Sequence, residues 1–420
     1  MEFRGAHLRY VDGLRAIAVL AVILYHALCV AAWAPPLVGT APQMDPVWWF
    51  AKLASKGAHG VDLFFVISGL CLSYPALARI RAGRESRLDC RDFVAKRMVR
   101  ILPPYYIATG IVIAAVLLTT HFGSPVPRAV GTDFSPFSIF KQLLFFDRAA
   151  LFVNDSFWTL SVEFRWYLVF PILLLLYVRS PRAFLALLAA CVVAYNCTRL
   201  RAIDIGTLPA FMLGIVAADL QIVGPRFARF ALPATVVAFW WALLLEPFSS
   251  VPSSFGLADV AGNYTQTNVG WQLAAFAFVV ASGRTAWLRR LLEIPMLCGI
   301  GVACYGIYLV HQPIIGAWAE LAGAHFDPAL GFAASVVFAL AGGLLFSYLA
   351  DRPFAGGPAR RVLVRALSKP LASAFAFLGI AGRIDLTSSP GPKPVEFLPS
   401  GDALRPGLAM ELRGSHPGSA

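Results

Sequence analysis

Apolar residues gather along this chain into ten blocks, at residues 14–33, 57–78, 101–120, 158–178, 183–197, 205–222, 231–248, 269–283, 294–318 and 328–350, with polar connectors between them. About 20 predominantly apolar residues cross the hydrocarbon core of a bilayer as a helix. Each block therefore predicts a transmembrane helix, the one at 183–197 being short. The pattern predicts an all-α, polytopic membrane protein with about ten spans.

Composition agrees: 58% of residues are hydrophobic and 14% charged, with a mean hydropathy of +0.69, whereas soluble domains are about 25% charged. Charge then sets the orientation. With a cytoplasmic N-terminus, 27 of the 35 Lys and Arg fall on the inner side and 7 on the outer, and Arg165 lies within a span. Without the tail the split is still 18 to 7, which follows the positive-inside rule and places both termini in the cytoplasm. The net charge of +12 is thus topological, and nucleic acid is not an expected partner.

Residues 1–355 read as one membrane domain, expected in the plasma (inner) membrane with no cleavable leader. Residues 356–420 read as a cytoplasmic tail, basic at Arg360, Arg361, Arg365 and Lys369. Leu371 to Ile380 is too short to span and is expected at the anionic inner leaflet. The Pro-, Gly- and Ser-rich remainder beyond Gly382 is expected to be disordered. The seven Cys are scattered without metal-ligand spacing and read as free thiols; no metal is expected.

Against this apolar background the ionisable residues inside spans stand out, because each is costly there and by default functional. Arg15 and His26 are eleven residues apart, which puts them on one helical face about 16 Å apart along the axis. A second span starting near Gly57 carries Asp62 about 7 Å into the membrane, with His59 one turn earlier. Glu163 opens the fourth span at a similar depth, and His311 follows Ile294 by a rise of about 25 Å. His26, Asp62, Glu163 and His311 are therefore expected to converge in the outer half of the bilayer. Interhelical hydrogen bonding is the structural alternative for each of them, but their conjunction points to a site. At the inner side, Lys96, Arg97 and Arg100 lie within about a turn and a half, so that they can meet an anion together, and guanidinium forks suit phosphate oxygens.

The stretches YVDGLRAIAVLAVILYHA, with its Arg-x10-His arrangement at Arg15 and His26, GVDLFFVISGLCLS, RMVRILPPYY, FWTLSVEFRWYLVFPILL and YGIYLVHQPII together resemble the integral-membrane acyltransferase family 3, over roughly residues 8 to 355. Its members O-acylate bacterial polysaccharides, lipopolysaccharides and macrolides. The chain departs from the family at Phe164 and Arg165, where Glu-Gln or similar often follows the Glu of the fourth-span motif. The hydrolase-like domain fused to some members is not expected. The resemblance implies acyl transfer from acyl-CoA, most often acetyl-CoA, to a hydroxyl of a carbohydrate or glycosylated acceptor, with acyl-CoA as a co-substrate and no cofactor.

Residue chemistry allows that reaction. An attacking hydroxyl must lose its proton, and His is the side chain whose ordinary pKa is nearest working pH. His26 is the expected general base, with Asp62 or Glu163 holding its tautomer as a triad carboxylate does. Arg15, Lys96, Arg97 and Arg100 are expected to bind the donor's phosphates, with Trp158, Tyr167 and His311 as further substrate-binding candidates. The competing reading is a transporter or flippase of an amphipathic molecule using an intramembrane His/Asp/Glu proton relay. No second copy of the Arg-x10-His helix marks the paired halves common in transporters.

Overall fold

A computed structural model describes residues 8–30, 46–122, 135–145, 154–197, 203–245, 268–322, 325–377 and 382–387. It is a helical bundle of α1 (Arg9–Tyr25), α2 (Pro46–Ser55), α3 (Gly60–Arg81), α4 (Cys90–His121), α5 (Pro136–Leu143), α6 (Trp158–Arg179), α7 (Pro181–Cys197), α8 (Ile203–Val223), α9 (Ala231–Leu245), α10 (Asn268–Arg284), α11 (Ala286–Leu292), α12 (Pro295–Val302), α13 (Cys304–Ala322), α14 (Pro328–Phe346), α15 (Arg352–Ala355) and α16 (Gly357–Phe377). Local chemistry fixes several starts. The Asp89 carboxylate caps α4, and Asp327 caps α14 just before Pro328.

Among the described residues seven helices are long and apolar enough to cross a membrane, or eight if one bent pair counts as a span. Each expected block is helical where it is described, although α7 and α10 have only 17 residues each. Residues 31–33 and 246–248 of two blocks lie outside the described residues. Large side chains such as Leu117 and Leu118 of α4 and Val237, Trp240 and Leu244 of α9 are exposed, as befits surfaces in contact with lipid.

Two differences from the sequence expectation shape the site. The ninth block is not one straight helix: α12 and α13 meet at Ala303 with a 74° bend. Glycines weaken the helix there, and they also let α12 lie directly on α1. A Cβ at Gly301 would fall 1.8 Å from the carbonyl oxygen of Asp12, and one at Gly13 would fall 2.1 Å from that of Leu292. The second membrane segment, in turn, begins at Trp49 rather than near Gly57 and runs to Arg81.

At the far end of α3, Arg81 grips Asp219 of α8 with both Nε (2.8 Å) and an Nη (2.5 Å), and the Tyr177 hydroxyl of α6 donates to the same carboxylate at 2.8 Å. Asp219→Ala leaves both donors without that acceptor. Because Arg81 keeps 47% side-chain exposure, the expected loss is about 1–2 kcal/mol, read as a lower midpoint of thermal unfolding in detergent; an unchanged midpoint would deny the clasp a stabilising role.

One described segment of the tail pairs with the rest of the chain. Strand β2 (Arg383–Asp385) pairs antiparallel with β1 (Arg87–Asp89), Leu88 opposite Ile384, and Leu386 is buried. The expectation of disorder beyond Gly382 therefore fails for the segment that pairs with the basic 79–100 connector; residues 388–420 lie outside the described residues. The apolar 371–380 stretch belongs to α16 as far as Phe377, and α16 packs along α4.

Candidate functional site

His26 is the first residue of a π-helical turn, His26–Val30, that closes α1. π turns are rare and cluster at functional positions. Its Nδ1 lies 2.9 Å from the carbonyl oxygen of Val22. A carbonyl only accepts, so Nδ1 carries the proton. His311 of α13 is held in the same way, Nδ1 to the Tyr308 carbonyl at 2.7 Å. Its Nε2 is then an acceptor, 3.2 Å from the His26 Nδ1–H. Both ring nitrogens of His311 and Nδ1 of His26 are thereby engaged, and Nε2 of His26 keeps its lone pair.

The backbone around His311 is held in turn from the start of α6. Asn154 Nδ2 donates to the Leu309 carbonyl at 2.9 Å, Thr159 Oγ1 bonds the Tyr308 hydroxyl at 2.7 Å, and Ser156 bonds Gln312. Trp158 follows in the same segment.

The two carboxylates expected beside His26 are elsewhere. Asp62 Oδ2 meets His59 Nδ1 at 2.9 Å, and its Oδ1 accepts from Gln272 at 3.3 Å, while the His59 ring stacks on Trp271 with centroids 4.7 Å apart. The cause is the register of α1 on α3. Gly60 abuts Ala18 and Val22, which sets Asp62 about two turns, or roughly 12 Å, from the level of His26.

Glu163 is deeper again. It accepts from the Ser68 hydroxyl at 2.6 Å and from Tyr167, and Ser68 lies about 9 Å beyond Asp62 along α3. The expected convergence of His26, Asp62, Glu163 and His311 thus reduces to the two histidines.

A second polar group surrounds the α12–α13 break. Arg15 reaches Asp12 at 2.9 Å and the Cys71 thiol at 3.3 Å. Cys304 lies within electrostatic reach of Arg15, Arg100, Asp351 and Glu163. Towards the basic end, the Arg97 guanidinium sits over the rings of Phe93 and Tyr167 at 5.6 and 5.7 Å, and that of Arg100 over Tyr305 at 5.1 Å. Lys96, Arg97 and Arg100 do not form one free cationic cluster. Lys96 pairs with Asp92 at 2.6 Å, and Arg100 pairs with Asp351, which lies in a second π turn, Ser347–Asp351.

Sequence reasoning missed Asp351, Tyr305 and Cys71. Asp351 was visible in principle as an ionisable residue at the end of the last apolar block. Nothing in the sequence distinguished Cys71 from a packing thiol. A lateral cavity of about 590 Å³ beside Val310, Pro313 and Ile314 is lined almost wholly by hydrocarbon. It lacks the polar groups that a hydroxyl or a phosphate needs, so the chemistry belongs to the polar groups above.

Among known proteins, a family model described as an acyltransferase domain matches residues 8–351. The chain is 26% identical over 350 residues to YrhL of Bacillus subtilis, named as a candidate peptidoglycan O-acetyltransferase, covering 75% of this chain and 50% of that protein. It is 26% identical over 340 residues to the peptidoglycan O-acetyltransferase OatA of Listeria monocytogenes, covering 73% and 49%. With the O-acetyltransferase OatA of Staphylococcus aureus it shares 24% over 328 residues, covering 72% and 50%. The chain spans about half the length of these curated relatives. No solved structure matches it.

Proposed function

Since the chain belongs to the membrane acyltransferase family, we propose that it transfers an acyl group, most simply acetyl, from acyl-CoA to a hydroxyl of a carbohydrate acceptor, with His26 as general base. The observation that carries this reading is the His26–His311 pair, which, among the described residues, leaves Nε2 of His26 as its one uncommitted nitrogen.

As the acceptor oxygen attacks the thioester carbonyl, its proton passes to Nε2 of His26. The new C–O bond forms, the C–S bond breaks, and the proton goes on to the departing thiolate. His26 becomes an imidazolium on the way. Its Nδ1–H then donates more strongly to the Val22 carbonyl and to His311 Nε2, which together take the part that a carboxylate plays in a triad. His311 is a positioning residue in this scheme. Asp62 takes no part in it, because its carboxylate is committed to His59 and Gln272.

The donor enters from the basic end, which the distribution of Lys and Arg assigns to the cytoplasm. Tyr305, beside Arg100, and His311, beside His26, are six residues apart on α13, a rise of about 9 Å. An extended acyl-CoA arm spans that interval. The relatives' printed names support a carbohydrate polymer as acceptor.

The test is purified protein in proteoliposomes with radiolabelled acetyl-CoA and peptidoglycan fragments. Label appearing in an alkali-labile ester on the sugar is expected. Accumulation of a substrate without label transfer overturns the proposal in favour of transport. Within the same assay, Arg97→Ala is expected to raise KM for acetyl-CoA about tenfold and to leave kcat within about threefold, the pattern of lost ground-state binding. An unchanged KM would remove Arg97 from the donor site.

A further inference from the structure

The arginines of the basic end divide into those with carboxylate partners and those without. Arg100 has Asp351, Arg81 has Asp219, and Arg383 donates from Nε to Asp89 at 3.1 Å. Arg97 of α4 and Arg360 of α16 are different. Each has a buried Nε with no acceptor among the described residues, and among the described contacts neither guanidinium donates a hydrogen bond.

Their helices pack together, which brings the two side chains within electrostatic reach of each other. Arg360 is held below the ordinary arginine range first by burial and then by the charges of Arg97 and Arg100, against the opposing pull of the Asp92 carboxylate. The adjacent Arg361 is exposed. Two like charges facing one another, each with its Nε shielded from water, are unfavourable unless an anion shares them; the Asp92 carboxylate that acts on Arg360 is itself paired with Lys96 at 2.6 Å. The fold nevertheless holds them there. α16 lies along α4, and the β1–β2 pairing with buried Leu386 fastens the chain beyond it. Arg360 also falls in the first turn of α16, where the helix end adds positive potential.

We infer that Arg97 and Arg360 form one site for phosphate oxygens, so that α16, which lies beyond the residues matched by the family model, is part of the binding machinery. Guanidinium forks approaching from two helices suit a phosphomonoester or pyrophosphate group. Two sources carry that chemistry. One is the nucleotide of the acyl donor, which rests on the function proposed above; the other is the headgroup of an anionic phospholipid.

The test uses the full chain in nanodiscs of phosphatidylcholine, with coenzyme A and adenosine 3′,5′-bisphosphate as calorimetric probes. Arg360→Gln is expected to weaken both about tenfold or more, and Arg361→Gln to change neither. Arg360→Gln combined with Arg97→Gln is expected to cost less than the product of the single effects, as for two groups sharing one ligand. Arg360→Lys, which keeps the charge without the fork, is expected to fall between wild type and Arg360→Gln, and serves if the Gln variant is not monodisperse.

A parallel arm replaces part of the lipid with phosphatidylglycerol and follows thermal unfolding. Stabilisation by that lipid that vanishes in Arg360→Gln, with nucleotide binding untouched, keeps the phosphate site and assigns it to lipid. If Arg360→Gln and Arg361→Gln both match wild type in the two arms, the shared site is overturned. In that event weakened coenzyme A binding by Arg97→Gln would still leave the donor reading standing.

Discussion

His26→Ala is expected to yield a folded, monodisperse protein that transfers acyl groups about 10²–10⁴-fold more slowly than wild type, the range associated with a general base. The loss should fall on kcat, because the imidazole acts on the proton that moves in the transition state and is remote from the donor's nucleotide. The fold should survive. The partners His26 leaves behind are a backbone carbonyl already bonded within its helix and the Nε2 of a neutral His311. His311→Ala should be milder, since it removes the support and keeps the base, and His311→Gln should recover part of the loss by again offering an acceptor to Nδ1–H. The measurement is single-turnover transfer from radiolabelled acetyl-CoA with protein yield matched by gel filtration. Near-wild-type turnover in His26→Ala would end the assignment.

The second large effect is structural. Gly301→Ala is expected to abolish or severely reduce recovery of folded protein, at a cost of about 3 kcal/mol or more, whereas Gly299→Ala two residues away should be silent. The added methyl at 301 would sit 1.8 Å from the Asp12 carbonyl oxygen, a backbone atom that no rotamer change can move, while a methyl at 299 meets nothing within 4 Å. Relief at 301 requires α12 to lift off α1. That would displace Asp12 and with it the ion pair that orients Arg15, so any surviving protein should also bind donor more weakly. Fluorescence-detected gel filtration of the two variants side by side decides it. Equal peaks for Gly301→Ala and Gly299→Ala would show the contact to be soft.

The spans were legible because their signal is local: block length and apolar content alone place helices, and each expected block proved helical where described. The bend at Ala303 was not, since α12 and α13 are both apolar and a hydropathy profile runs through the break. Depth was misread for a related reason. Taking Gly57 as the start of the second segment put Asp62 near the surface, whereas the apolar stretch begins at Trp49. Partnerships were the least legible feature. The His59–Asp62 pair, three residues apart, was within reach of counting, but that His26 faces His311 and neither carboxylate depends on how α1 seats against α3 and α13, a register set by Gly57, Gly60 and the α12 crossing together. Counting residues along single helices cannot supply it. Arg15 and His26 could nevertheless be singled out from one helix alone, because ionisable groups in a lipid-spanning segment carry their own cost.

On α13, the side chain touching Arg100 and the side chain touching His26 are separated by a rise of about 9 Å. The hydrocarbon of a bilayer is about 30 Å thick, so the two contacts lie about a third of that thickness apart. A charge displaced from one to the other during turnover would therefore cross a comparable share of the cell's electrical potential.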